Sequence, residues 1–285
     1  MNAVPFVEVE PGVRLYYEEW GAGHPVVFVH GGAMSHEVWE QQVYALADRY
    51  RTVTYDLRGH GQSDKPPTGH TIARFVDDLA VLVEALGLRG CTLVCHGIGG
   101  YVGVRFAVQA PARLARLVLV STGTRLVGET DEVGFAPALW ADYVQGMAVN
   151  KAEASARLLE TFFHRDPGEA TRQALLAIML QWPAYAMRLL ARDLETVDLD
   201  EILPAVAVPT LVIHGVHDRK QRYGGALALA RRIPGARLVP FHDSGHNPQV
   251  EEAARFTRVL VEFMEETTAA GRPAAAGLPA VPPSI

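Results

Sequence analysis

Cysteine is scarce in this chain: 285 residues include two, Cys91 and Cys95. They lie four positions apart on one apolar run, and a strand holds such residues too far apart to bridge. A disulfide-stapled fold is not expected, and both thiols are read as free, in a reducing compartment. Positive charge is not in excess either. With 26 Lys and Arg against 32 Asp and Glu, the formal net charge is −6, which argues against nucleic acid or an anionic membrane as the main partner. No run of about 18 apolar residues occurs. The opening Met1-Asn-Ala-Val-Pro5 lacks the basic and apolar regions of a secretion signal. The expectation is a cytoplasmic protein, monomer or homodimer, whose partner is a small molecule.

What is present is a large apolar fraction, 49% of residues, enough for one sizeable α/β domain carrying an insertion. Phe6–Glu10 and Val13–Trp20 alternate around Pro11-Gly12 and read as an antiparallel hairpin. Pro25–His30, Thr52–Asp56, Cys91–Cys95, Leu117–Ser121 and Thr210–His214 are short apolar runs of the kind found in strands buried on both faces. Arg237–Phe241 adds another strand. Between them, helical spacing predicts helices over Glu37–Tyr50, Thr71–Leu86, Ile98–Gln109, Gly224–Arg232 and about Gln249–Thr267. From Thr124 to about Leu203 strand-like runs vanish, and four helical segments replace them. Alternating βα units imply a mostly parallel, doubly wound sheet. A helical block between two of its strands is expected over their carboxyl ends, as a lid. The expected division is a core of residues 1–123 and 204–268, a helical cap of 124–203, and a disordered tail of 269–285 rich in Ala, Pro and Gly.

A further absence lies at the centre of the chain. Cys91-Thr-Leu-Val-Cys-His96-Gly97-Ile98-Gly99-Gly100-Tyr101 is a strand ending in glycines from which a helix starts at once. Such a turn carries a nucleophile at its tip in the pattern G-x-S-x-G. Here the tip is Gly97, with neither hydroxyl nor thiol. Cys95, two residues earlier and inside the strand, is expected to be a poor nucleophile, because burial raises a thiol's pKa.

The chain resembles the α/β-hydrolase family over roughly residues 5 to 266. The resemblance rests on Phe28-Val-His-Gly-Gly32, Asp56-Leu-Arg-Gly-His-Gly-Gln-Ser-Asp64, the Gly97 turn, Val208-Pro-Thr-Leu-Val-Ile-His-Gly215 and Ser244-Gly-His-Asn-Pro248. Cofactor-free haloperoxidase-like and polyketide-esterase-like members are most similar. The resemblance implies an eight-stranded α/β-hydrolase sheet with a helical cap between strands six and seven. The family orders its triad as nucleophile, acid, histidine, which falls on Gly97, Asp218 and His246. The backbone N–H groups of Gly32 and Ile98 match its oxyanion hole.

Three readings follow. The first is an enzyme without a covalent intermediate, in which His246, oriented by Asp218, is a general base toward water or substrate. The second is a serine esterase carrying a Ser→Gly change at position 97. The third is a catalytically silent binding protein. Met34, Ser35, His36 and Trp39 from the core, with Trp140 and Trp182 from the cap, are expected to line a largely apolar pocket suited to an aromatic or polycyclic substrate; capping is the alternative task of Ser35. No cofactor and no metal are expected. The near-fingerprint at Gly97, Gly99 and Val102 lacks its third glycine, and the histidines around Asp218 and Asp243 belong to separate loops.

Overall fold

The computed structural model describes residues 5–130 and 133–266; the expected tail, 269–285, lies outside the described residues. Strands β1 (Phe6–Glu10) and β2 (Val13–Trp20) form the antiparallel hairpin. Next come β3 (His24–Val29), β4 (Tyr50–Tyr55), β5 (Cys91–His96) and β6 (Leu114–Val120). After a short parallel pair, β7 (Arg125–Val127) and β8 (Val133–Phe135), the main sheet resumes with β9 (Thr210–Gly215) and β10 (Arg237–Phe241). Eight strands make one sheet in the order β1-β2-β4-β3-β5-β6-β9-β10, parallel from β4 to β10. The apolar runs account for this order. Every residue of β5 and β9 is buried, which only a strand covered on both faces tolerates, whereas β2, near the edge, has exposed residues at its end.

The core helices are α1 (Glu40–Leu46), α2 (Ile72–Ala85), α3 (Ile98–Gln109), α8 (Tyr223–Arg232), α9 (Pro248–Glu251) and α10 (Ala253–Glu265). The apolar stripe of α2, including Ile72, Phe75, Leu79 and Leu82, is buried, and Thr71 caps its start by accepting from the N–H of Arg74. The expected helix over 37–50 is shorter: a 3-10 turn at His36–Trp39 leads into α1, and β4 already begins at Tyr50. The final helix is broken at Glu252, where non-helical φ and ψ of −126° and 46° interrupt the helical path.

Between β6 and β9 stand α4 (Pro137–Val149), α5 (Lys151–Leu159), α6 (Glu169–Gln181) and α7 (Ala184–Leu194). The expectation of helices alone across 124–203 is corrected by β7 and β8. These three-residue strands are too short to show the period-2 alternation that marks a strand in sequence. Polar contacts fasten this inserted segment to the core: the Ile72 N–H donates to Asp193 Oδ2 at 2.7 Å, and the Tyr185 hydroxyl donates to the Lys65 carbonyl at 2.5 Å. Among the described residues no single helix is long and apolar enough to cross a membrane.

Candidate active site

Parallel packing brings the carboxyl ends of β3, β5, β9 and β10 to one edge of the sheet, and the loops leaving them hold the residues singled out in the sequence. Gly97 follows β5 at φ 53° and ψ −118°, a backbone region that residues with a Cβ occupy only under strain. The turn is gripped from the neighbouring strand end. The Gly97 N–H donates to the Val120 carbonyl at 2.9 Å, and the Thr122 hydroxyl donates to the Gly97 carbonyl at 2.8 Å. Ser121, between those two residues, has φ of 46° and a buried hydroxyl without a partner.

His246 lies in the loop between β10 and α9. Its Nδ1–H donates to Asp218 Oδ2 at 2.7 Å, and its backbone N–H donates to the Phe162 carbonyl at 2.7 Å. The other ring nitrogen, Nε2, is buried without a partner. A Cβ added at Gly97 would stand 3.5 Å from that atom and 3.6 Å from Gly31 Cα. The lone pair of the imidazole therefore addresses the position where a nucleophile's side chain would begin. His96 steadies the same ring from behind, donating from Nε2 to the His246 carbonyl at 2.9 Å, with ring centroids 4.7 Å apart.

Asp218 has its acceptor positions filled. Oδ1 takes the N–H groups of Lys220 and Gln221, each at 2.8 Å, while Oδ2 faces His246 and, at 3.3 Å, His214 Nε2. Burial would raise this carboxyl, but the adjoining imidazoles of His246 and His214 outweigh it and hold it below the usual carboxylate range. Burial pushes the imidazole of His246 down to about 4, against the pull of the Asp218 charge. At neutral pH the pair is thus an ionised carboxylate and a neutral imidazole whose free nitrogen can accept a proton.

The loop after β3 also meets the start of α3. Ile98 is the first residue of α3, so its N–H has no acceptor within the helix and lies at the positive end of the helix dipole. A Cβ at Gly32 would touch Ile98 Cδ1 at 3.4 Å, which puts the loop after β3 directly over the start of α3. The thiols offer no substitute nucleophile: both are buried, and burial raises Cys91 to about 11 and Cys95 further. Among the described residues no group of three His, Cys, Asp or Glu side chains is placed to hold a metal ion.

All six residues expected to line the pocket are buried, and their contacts are as follows. His36 commits its Nδ1 to Asp56 Oδ1 at 2.9 Å and turns Nε2 toward Glu18, so neither nitrogen is left for a substrate. The Ser35 hydroxyl accepts from the Glu37 N–H and caps the 3-10 turn. Trp39 is core packing, with its ring 5.1 Å from Phe28 and 6.1 Å from Phe256. Met34 is buried directly after the Gly31–Gly32 loop. In the inserted segment Trp140 packs against Phe135 and Tyr143, and Trp182 stacks on His60 with centroids 4.6 Å apart. The inserted residue beside the dyad is instead Phe162, with its ring 5.4 Å from His246. In the sequence it is one of several aromatics of the inserted segment, with nothing to set it apart from its neighbour Phe163. Lys220, buried on the acid's loop, was missed, and His214, weighed in the sequence only as part of a metal pattern, stands beside Asp218 instead.

The dyad is covered: His246 is 1% exposed and Phe162 0%. Two surface hollows, of about 590 Å³ between α1 and α10 and about 200 Å³ beside the loop between α5 and α6, include neither His246 nor Gly97 in their walls. Nε2 is thus closed off from the surface as long as this cover stays in place.

This arrangement has counterparts among known proteins. Residues 24–253 match the family described as alpha/beta hydrolase fold. The AB hydrolase superfamily protein YisY of Bacillus subtilis is 30% identical over 264 residues, covering 90% of this chain and 98% of that protein. The non-heme chloroperoxidase of Streptomyces lividans is 32% identical over 236 residues, covering 77% and 84%. The esterase EaEST from Exiguobacterium antarcticum superposes with a TM-score of 0.88 at 25% identity, covering 92% of this chain and 99% of that one. With its mostly parallel eight-stranded sheet and a family match over most of its length, the chain belongs to the α/β-hydrolase fold family, related to non-heme haloperoxidases and esterases.

Proposed function

We propose that the protein is a hydrolase-fold enzyme that acts on a small carbonyl compound by proton transfer, without a covalent intermediate. The observation that carries this reading is the buried, unpartnered Nε2 of His246, facing the side-chain position that Gly97 leaves open, with Nδ1 held by Asp218 at 2.7 Å. In this reading His246 takes a proton from water or from the substrate itself, and Asp218 fixes the tautomer and stabilises the imidazolium that forms. The N–H groups of Gly32 and Ile98 hold the oxyanion or enolate. Hydrolysis of an ester or C–C bond and proton abstraction leading to elimination or rearrangement both fit these parts. The segment 124–203 serves as the cap, and Trp140, Trp182 and Phe162 give it an apolar lining suited to an aromatic substrate. His246→Ala tests the reading on a panel of esters and polycyclic ketones. Turnover is expected to fall by about 10²–10⁴-fold, and wild-type rates in that variant would overturn it.

One observation favours a second reading, an esterase whose serine has been exchanged for Gly97. The turn keeps the dihedral angles of a nucleophile-bearing elbow, and a Cβ there would make only ordinary contacts, at 3.5 Å and beyond. Its test is the Gly97→Ser variant.

A further inference from the structure

The chain has three lysines among its 26 basic residues, and two of them have evident structural tasks. Lys65 donates to the carbonyls of Gly61 and Ser63, and Lys151 to those of Leu180 and Trp182. Lys220 differs. It is nine-tenths buried, two residues after Asp218, and among the described residues no hydrogen bond and no ion pair within 4.0 Å engages its ammonium, which the Asp218 charge reaches only through space. Its contact is the face of the Phe162 ring, 4.6 Å from the centroid.

The Asp218 charge attracts this ammonium without forming a direct pair with it: Oδ1 takes two backbone N–H groups, and Oδ2 takes the His246 N–H with His214 Nε2 at 3.3 Å. Phe162 ties the ammonium to the dyad: its ring also lies 5.4 Å from His246, and its carbonyl holds the His246 N–H. An unpaired ammonium in such surroundings is costly, and a cation–π contact offsets only part of that cost. The same dryness strengthens its attraction for an incoming anion.

We propose that Lys220 binds a carboxylate carried by the substrate, so that the pocket selects acidic carbonyl compounds over neutral ones; this rests on reading the space beside His246 as the substrate site. Burial lowers the amine to about 8, which leaves it an ammonium at neutral pH. That charge adds to burial in lowering the proton affinity of His246, so the side chain that attracts the acid also helps to keep the base unprotonated.

The test reads binding rather than turnover. Calorimetric affinities of 1-naphthoate and its neutral counterpart 1-naphthamide are compared at pH 7 for the wild-type chain, Lys220→Met and Lys220→Arg. The wild type is expected to prefer the acid tenfold or more. Lys220→Met is expected to abolish the preference while leaving amide affinity within about twofold, and Lys220→Arg to keep it in part. Lys220→Gln replaces the methionine variant if that one does not fold. Equal wild-type affinities, no acid binding, or a preference that survives loss of the amine would each overturn the assignment. The His246→Ala rates are independent of these. Turnover surviving that substitution, alongside a Lys220-dependent preference, removes the proton-transfer reading and leaves the carboxylate site standing.

Discussion

In the variant Gly97→Ser, the new Cβ would meet His246 Nε2 at 3.5 Å, Gly31 Cα at 3.6 Å and His246 Cε1 at 3.9 Å. These are ordinary van der Waals separations, so no neighbour has to shift. The cost is conformational: a residue with a Cβ at φ 53° is strained by about 1–3 kcal/mol. For a domain of this size each kcal/mol lowers the melting temperature by about 2–4 °C, a loss of a few degrees that calorimetry resolves. In return, a hydroxyl one bond beyond the Cβ comes within the ~2.6–3.2 Å that links a nucleophile to its base. Hydrolysis of p-nitrophenyl butyrate is expected to rise by about 10²-fold or more over the Gly97 chain, with a burst and stoichiometric labelling by a fluorophosphonate. The double variant Gly97→Ser/His246→Ala is expected to lose the labelling. A folded serine variant that neither reacts with the probe nor gains esterase activity would refute the geometry inferred for the elbow, dyad and oxyanion hole together. A gain over a Gly97 chain inert toward the whole substrate panel would favour the exchanged-serine reading.

Asp218→Asn removes the charge that stabilises the imidazolium while keeping the shape of the side chain, so kcat is expected to drop by about 10²–10⁴-fold with a smaller change in KM; an unchanged kcat would remove Asp218 from the mechanism. Stability is expected to fall with pH. His30, His60, His96 and His246 all have proton affinities lowered by burial, His30 and His246 to about 4. The unfolded chain therefore binds protons that the folded one does not, and each imidazole removes up to about 1.4 kcal/mol per pH unit as pH drops from 6.5 toward 4. His36, which Asp56 holds above its usual value despite burial, opposes this trend. Urea titrations at pH 7 and pH 5 measure the balance, and equal midpoints would contradict it. Gly245→Ala would drive a Cβ to 2.8 Å from His164 N and 2.9 Å from the Phe162 carbonyl. Since these are backbone atoms, the His246 loop and the inserted segment are expected to part, at a cost of about 1–3 kcal/mol and with loss of activity.

The fold was legible because its parallel strands are buried on both faces and announce themselves as unbroken apolar runs. Ile98–Gln109 is recovered as α3, its start marked by glycines and its end by Pro111, and the four inserted helices fall where the 3.6-residue spacing puts them. What was not legible depends on tertiary contact. The strands β7 and β8 exist through pairing with one another across three residues each, and the break at Glu252 leaves no mark in an otherwise helical pattern.

The site divides along the same physical line. The turn at Gly97 and the loops after β9 and β10 come together as a His246–Asp218 contact beside Gly97, since strand ends impose their position. The pocket wall was not legible, because an aromatic side chain declares that it is buried and not against what. Trp39, which looked like a substrate contact, fills the core against Phe28 and Phe256, while the undistinguished Phe162 supports the dyad with its carbonyl and the Lys220 ammonium with its ring. That double role has a consequence for how the site opens. Glu251 accepts the Gly245 N–H at 2.7 Å through one oxygen and the His164 N–H at 2.8 Å through the other, clamping the histidine loop to the segment that carries Phe162. Lifting that segment off the dyad would break the Phe162–His246 hydrogen bond, so in the proposed proton-transfer reading the movement that admits substrate would also release the histidine loop. Under that reading a base positioned only in the closed state, and buried once there, would couple proton transfer to cover closure.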